Sequence, residues 1–313
     1  MYKFKIVLII YLSMQLLSCQ GQQASIPPAI TSANPIQINR FDKALYQFIE
    51  ANDPTQSTKL LESYPHMLAI LGKGILNRQS PEEQDFFEKL LNYYSEPTLK
   101  GLYADAIRHY EELSQIEQAL GNGFAWLKAA FPAMQVPAVY MHVSGFNQNV
   151  LVGDSLLSLS IDKYLGADYP LYQNFFYDYQ RRLMTPQQVV SDYLTGWLMS
   201  EYPFEGKENV LLDRMIYEGK IKFIIHQALP ELTVGTLMGY TETELKWCEE
   251  NEASLWRAIV GRKHLYTPDQ VVTSKYFDQA PCTFLSSDNQ TTIEALMLLT
   301  DSQAVLSASH YKP

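Results

Sequence analysis

The chain changes its hydrophobic period twice, and this limits its fold more than any other feature. From Phe41 to Phe131 apolar side chains recur at helical spacing, from Val136 to Ile161 they alternate, and after Pro170 the helical period returns. The first stretch holds Phe41-Leu45-Phe48, Leu60-Leu61-Tyr64 and the set Phe86, Phe87, Leu90, Leu91 and Tyr94. Ser80-Pro81-Glu82-Glu83 predicts a capping box, with proline at the first helical position, opening the helix that carries Phe86 to Tyr94. A long helix is predicted from Ala104 through Ile107, Tyr110 and Leu113 toward Leu120. Ile36 to Arg40 reads as a short extended segment. In the middle, Val136 to Ser144, Gln148 to Val152 and Leu156 to Ile161 read as strands, with turn chemistry at Gly153-Asp154. Downstream, Thr185-Pro186-Gln187-Gln188 predicts a second capping box ahead of the stripe Val189, Val190, Tyr193, Leu194, Trp197 and Leu198. Further helices are expected from about Leu212 to Ala228 and from Thr241-Glu242-Thr243-Glu244 onward. The expected class is α+β, predominantly helical, with a small central antiparallel sheet and no internal repeat.

The N-terminus is outside this pattern. Lys3 and Lys5 precede the apolar run Ile6 to Leu12, which is too short to span a bilayer needing about 20 apolar residues, so residues 1–18 read as a cleaved signal. Leu16-Leu17-Ser18-Cys19 resembles a bacterial lipobox, which makes Cys19 the lipid-carrying first mature residue. More than one acyl chain makes such anchoring stable, at roughly 0.8 kcal/mol per buried methylene. Gln20, not Asp, follows the cysteine, which is compatible with sorting to the outer membrane. Residues 19–35, rich in Gln, Ser, Ala and Pro without periodicity, read as a flexible tether. A folded domain over residues 36–285 and a C-terminal segment over residues 286–313 complete the expected organisation.

A formal charge of -10 and a pI near 5.1 argue against nucleic acid and against a polybasic membrane contact. Cys248 and Cys282 permit one disulfide in an exported chain but make no framework. There is no H-E-x-x-H, G-x-S-x-G, P-loop or G-x-G-x-x-G. The six histidines, His66, His109, His142, His226, His264 and His310, are scattered, and none has a second histidine at helical spacing. Two weak metal candidates remain. Glu218, Lys222 and His226 fall at i, i+4 and i+8 on a predicted helix, where a solvated stripe is the ordinary reading. Asp192 interrupts the Val189 to Leu198 stripe, where an exposed face is the ordinary reading. Aromatic residues make up 12% of the chain and are expected to line core and grooves.

Several blocks resemble the gliding-motility lipoprotein GldB family of Bacteroidetes. They are Ile38-Asn39-Arg40-Phe41-Asp42, Tyr64-Pro65 with Gly74-Ile75-Leu76, Val143-Ser144-Gly145-Phe146, and the long run from Ser160 to Tyr172. Met215 to Lys220, Gly239-Tyr240-Thr241, Trp247-Cys248, Asn251-Glu252, Trp256 and Ala280-Pro281 extend the likeness. Within these blocks Asp162, Tyr164, Gly166, Asp168, Tyr172, Asn251 and Glu252 are the residues to watch for structural ties or contacts with a partner. The resemblance implies a lipid-anchored envelope protein that acts beside other gliding and type IX secretion components, facing the periplasm from the outer membrane. The element order is also similar to zinc metallopeptidases of the H-E-x-x-H kind. In that comparison Ser191 and Thr195 stand where histidines belong, Asp192 where the general base belongs, and Glu218-Gly219 where a third ligand belongs. One carboxylate does not make a zinc site that ordinarily has three protein ligands. The expected function is therefore a non-catalytic interaction or assembly component without a cofactor. The rivals are a metallopeptidase-related enzyme using Glu218 with Asp192, His142 or His226, and a lipoprotein binding a small molecule in an aromatic groove.

Overall fold

Helices supply most of the architecture, and one sheet crosses its middle. The computed structural model describes residues 26–76, 80–207, 210–269 and 276, so the signal, Cys19, Cys282 and the segment 286–313 lie outside the described residues. Strand β1 (Ile38–Asn39) leads into α1 (Phe41–Ala51), α2 (Ser57–Ser63), α3 (Pro65–Gly74), α4 (Phe86–Tyr94), α5 (Pro97–His109) and α6 (Ser114–Ala130). Strands β2 (Ala138–His142), β3 (Val150–Gly153) and β4 (Leu156–Ser160) follow. The chain then forms the short α7 (Asp178–Arg181), α8 (Gln188–Glu201), α9 (Leu211–Ala228), α10 (Val234–Met238) and α11 (Glu242–Gly261).

The α+β class is as expected, but the sheet is mixed, not antiparallel. Its order is β1-β2-β4-β3, with β1 and β4 both parallel to β2 and only β3 antiparallel, to β4. Alternation in sequence reports which side chains share a face and is silent on strand direction. Burial explains the outcome: every residue of β4 is buried, so both of its faces are covered, as is usual for parallel pairs. Gly74 of α3 abuts Leu151, while Gly196 of α8 abuts Val150 and Leu157. Val150 and Leu151 are consecutive and point to opposite faces, so α3 covers one side of the sheet and α8 the other. Helices α6, α8 and α9 pack on one another, and the main apolar core runs from Phe41 and Leu45 through Val139 and Leu159 to Trp197 and Ile225, with smaller clusters around Leu211 and Ile259 and around Tyr240 and Cys248.

Local chemistry accounts for the helix boundaries and corrects three expectations. Ser80 N donates to Glu83 Oε1 at 2.8 Å, yet this pair closes a turn and α4 starts only at Phe86. Thr185 supplies its carbonyl to Gln188 N at 3.0 Å instead of a side-chain cap, and α8 begins at Gln188. The long helix expected through Tyr110 is two helices, because the chain turns at Tyr110 and buries that ring, whose hydroxyl donates to the Tyr164 carbonyl at 2.5 Å. The Thr241 box forms as expected: Thr241 Oγ1 accepts from Glu244 N, and the Glu244 carboxylate reaches back to Thr241 N.

The free tether expected through Pro35 is also corrected, because residues from Pro27 on lie against α6. Trp126 Nε1 donates to Pro27 O at 3.0 Å, Ala33 N donates to Asn122 Oδ1 at 3.0 Å, and Gln118 Nε2 donates to Ala33 O at 2.8 Å. Gly121 makes this approach possible, since a Cβ there would fall 2.2 Å from Asn34 O. A segment without hydrophobic periodicity still carries backbone donors and acceptors, and the amide side chains of α6 satisfy them.

Candidate functional site

Parallel pairing of β2 and β4 brings two distant sequence blocks to one end of the sheet. His142 is in register with Ser160, so Ser144 and Asp162 leave the sheet side by side. The buried Asp162 carboxylate accepts Ser144 N at 3.2 Å on Oδ1 and Phe146 N at 2.9 Å on Oδ2, and the Ser160 hydroxyl also bonds Oδ1. Ser144 Oγ lies 2.7 Å from Ser160 Oγ and accepts Gln148 N at 3.2 Å. Carbonyls of the same loop are taken by tyrosines: Tyr94 donates to Val143 O at 2.6 Å and Tyr93 to Ser144 O at 2.7 Å. Burial pushes the Asp162 carboxyl above its ordinary pKa while these hydrogen bonds pull it back. Beneath the loop, His142 bonds Ser158 Oγ at 2.8 Å, and burial lowers its pKa to about 3.

What this network holds is a strained turn with an aromatic surface. Gly145 and Phe146 have φ of 65° and 67°, a left-handed pair in which phenylalanine is the unusual member. The Phe146 ring meets Tyr172, Phe175 and Phe176 at centroid distances of 5.5, 5.7 and 5.2 Å. Tyr172 is itself tied down, donating to Asp162 O at 2.5 Å and accepting Leu165 N at 3.0 Å. Beyond this base the rings emerge into solvent, with Phe175 62% and Tyr177 73% exposed and Tyr177 stacked on Tyr179. Phe175 and Tyr177 are neighbours on one segment and so form a patch with Tyr179 rather than scattered single residues, and contiguous exposed apolar patches mark interaction surfaces.

The remaining candidates separate. Gly166 takes φ 111° and donates to Met184 O at 3.1 Å, which makes it a turn residue. Asp168 is exposed beside it. Tyr164 is buried, its hydroxyl donating to Asp192 Oδ2 at 2.6 Å and accepting Asn149 Nδ2 at 3.0 Å. Asp192 is therefore not on an exposed face, as expected, but in a half-buried cluster near Lys163 and Lys222. Burial raises its pKa, opposed most by the Lys222 charge. Glu218 is half-buried too and lies 3.5 Å from Arg214, so the expected solvated stripe is corrected: it faces inward. Asn251 Nδ2 bonds Trp247 O one turn back at 2.7 Å, and Glu252 is exposed, so this pair is not brought to the other candidates.

Among the described residues, no three His, Cys, Asp or Glu side chains converge as a metal-binding set. Ser191 donates to Gln188, and Thr195 offers only a hydroxyl, so the donors do not fit a three-ligand zinc site. Phe146 falls in a block that the sequence singles out, but Phe175 and Tyr177 do not: the only signal for them is the run Phe175-Phe176-Tyr177 with Tyr179, which composition assigns to core and grooves.

Fold and site together define a helix-rich α+β domain that presents an aromatic platform at the C-terminal end of its parallel strands. The family model of gliding motility protein GldB matches residues 23–291, and the chain belongs to this family of gliding motility lipoproteins of the cell envelope. No curated protein and no solved structure matches it. Among the described residues no helix is long and apolar enough to cross a membrane.

Proposed function

We propose that this chain is a non-catalytic assembly component of the gliding machinery, held by lipid on Cys19 at the outer membrane and facing the periplasm. Its aromatic platform docks on another envelope protein of the gliding or type IX secretion apparatus. One observation carries this reading: Phe175 and Tyr177 stand in solvent above a base whose polar groups are already committed to the chain's own backbone. Exposed rings on a rigid base lose little entropy on binding and bury large areas, which is the chemistry of interface anchors. Replacing Phe175 and Tyr177 together by alanine should leave cellular level and melting temperature unchanged, because neither side chain supports the core, and should abolish gliding. Normal gliding by cells carrying the double variant would remove the proposal.

The enzyme reading draws on the half-buried cluster of Asp192, Lys222 and Glu218, since perturbed carboxylates gather at active sites as well as in structural ion clusters. Glu218→Gln separates the two. Lost motility with unchanged folding favours chemistry, and unaffected motility favours the scaffold.

A further inference from the structure

We infer that the cleft between the end of α8 and the start of α9 takes a cationic side chain, arginine or lysine, presented by a basic segment of another protein. The cleft measures about 510 Å³, in the range of ligand sites. Its walls are aromatic, with Phe131 on Tyr202 at 5.1 Å and Phe204 on Tyr217 at 5.3 Å. Ring faces attract cations, and the chain already does this with its own Arg214, whose guanidinium carbon lies 5.4 Å from the Phe204 centroid. Among the described residues, Glu201, Glu205 and Asp213 bring three carboxylates to the lining against the ammonium of Lys220, while the Arg214 guanidinium over Phe204 lies 3.5 Å from the Glu218 carboxylate. Glu201 and Glu205 are exposed, and neither forms an ion pair with a described residue.

The shape is built in advance. Lys207 N donates to Asp213 Oδ2 at 3.0 Å, Tyr217 donates to Tyr202 O at 2.9 Å, and Gly206 passes where a Cβ would lie 2.7 Å from Phe204. Such preorganisation lowers the cost of binding.

Charge selects the occupant. Residues 277–313 of this chain carry Asp278, Asp288, Glu294 and Asp301 against Lys312, so they are repelled, and a second copy brings the same excess of -10. A zwitterionic lipid headgroup carries a phosphate beside its amine, which meets the same carboxylates unfavourably. A basic peptide segment brings neither penalty. This site is separate from the aromatic platform and stands or falls independently of it.

The test follows the methyl resonances of Ile216, Ile221 and Ile224 in the full mature chain in detergent micelles. The probe is the blocked tripeptide Gly-Arg-Gly, with its neutral citrulline counterpart as control. The arginine peptide should shift these methyls and bind about tenfold tighter than the citrulline peptide, the expected scale for a cation over aromatic rings with nearby carboxylates. Glu201→Gln with Glu205→Gln should remove most of that difference at unchanged melting temperature, since both side chains are exposed. Equal binding of the two peptides, no methyl shift at millimolar arginine peptide, an unaltered difference in the double variant, or shifts only with phosphatidylethanolamine vesicles would each overturn the assignment.

Discussion

Asp162 shows how a buried carboxylate can be structural without an ion pair in contact. Two backbone N–H groups and a hydroxyl take its oxygens, and together they hold Gly145 and Phe146 in the left-handed region. Asp162→Asn keeps the volume but turns an amide nitrogen toward donors. The variant should lose on the order of 2–4 kcal/mol of stability, read as a lower denaturant midpoint. His142 gives the same region a pH dependence. Its ordinary pKa of 6.5 falls to about 3 in the folded chain, because burial disfavours the charged ring. Between these values the unfolded chain binds the extra proton and the folded chain does not. Stability is therefore unpenalised above pH 6.5 and falls by up to about 1.4 kcal/mol per unit as the pH drops through that window. His142→Asn should flatten this slope in denaturation curves measured across it. The blocks containing Asp162 and Ser144-Gly145-Phe146 are both visible in the sequence, but not that they pair, since Ser144 and Phe146 lie 18 and 16 residues from Asp162.

At the level of elements, amphipathic stripes located the helices well, and capping motifs did less. Thr241 caps a helix because its successors continue one. Ser80 and Thr185 sit in the same kind of motif, yet the chain first makes a turn there, and side-chain hydrogen bonding alone does not impose propagation. Glycine marks contacts that no stripe reveals. Gly121 lets residues 27–36 lie across α6, and Gly121→Ala would push a methyl group into the Asn34 carbonyl. We expect a loss of about 1–3 kcal/mol and faster proteolysis between residues 27 and 36, with a shift in Trp126 emission as its bond to Pro27 opens. Emission and cleavage identical to the parent chain would show that the segment docks by other means.

For the whole molecule, docking of the N-terminal segment shortens the leash. From Cys19 to Ile26 the chain reaches at most about 25 Å, so the lipid proposed on Cys19 would hold the domain close to its bilayer. Cys19→Ala should move the protein from the membrane fraction to the soluble envelope fraction, followed by fractionation and mass spectrometry of the N-terminus. A fully membrane-bound alanine variant would mean that something other than lipid retains it. The sequence alone determined the α+β class, the helical stretches and the family, because each is written in local periodicity or in a contiguous motif. Only the tertiary structure decided that β2 and β4 run parallel, that Asp192 and Glu218 face inward, and that Phe175 and Tyr177 face out. Strand direction and the covering of a face depend on which distant segments pack together, and neither spacing nor composition along a single stretch carries that information.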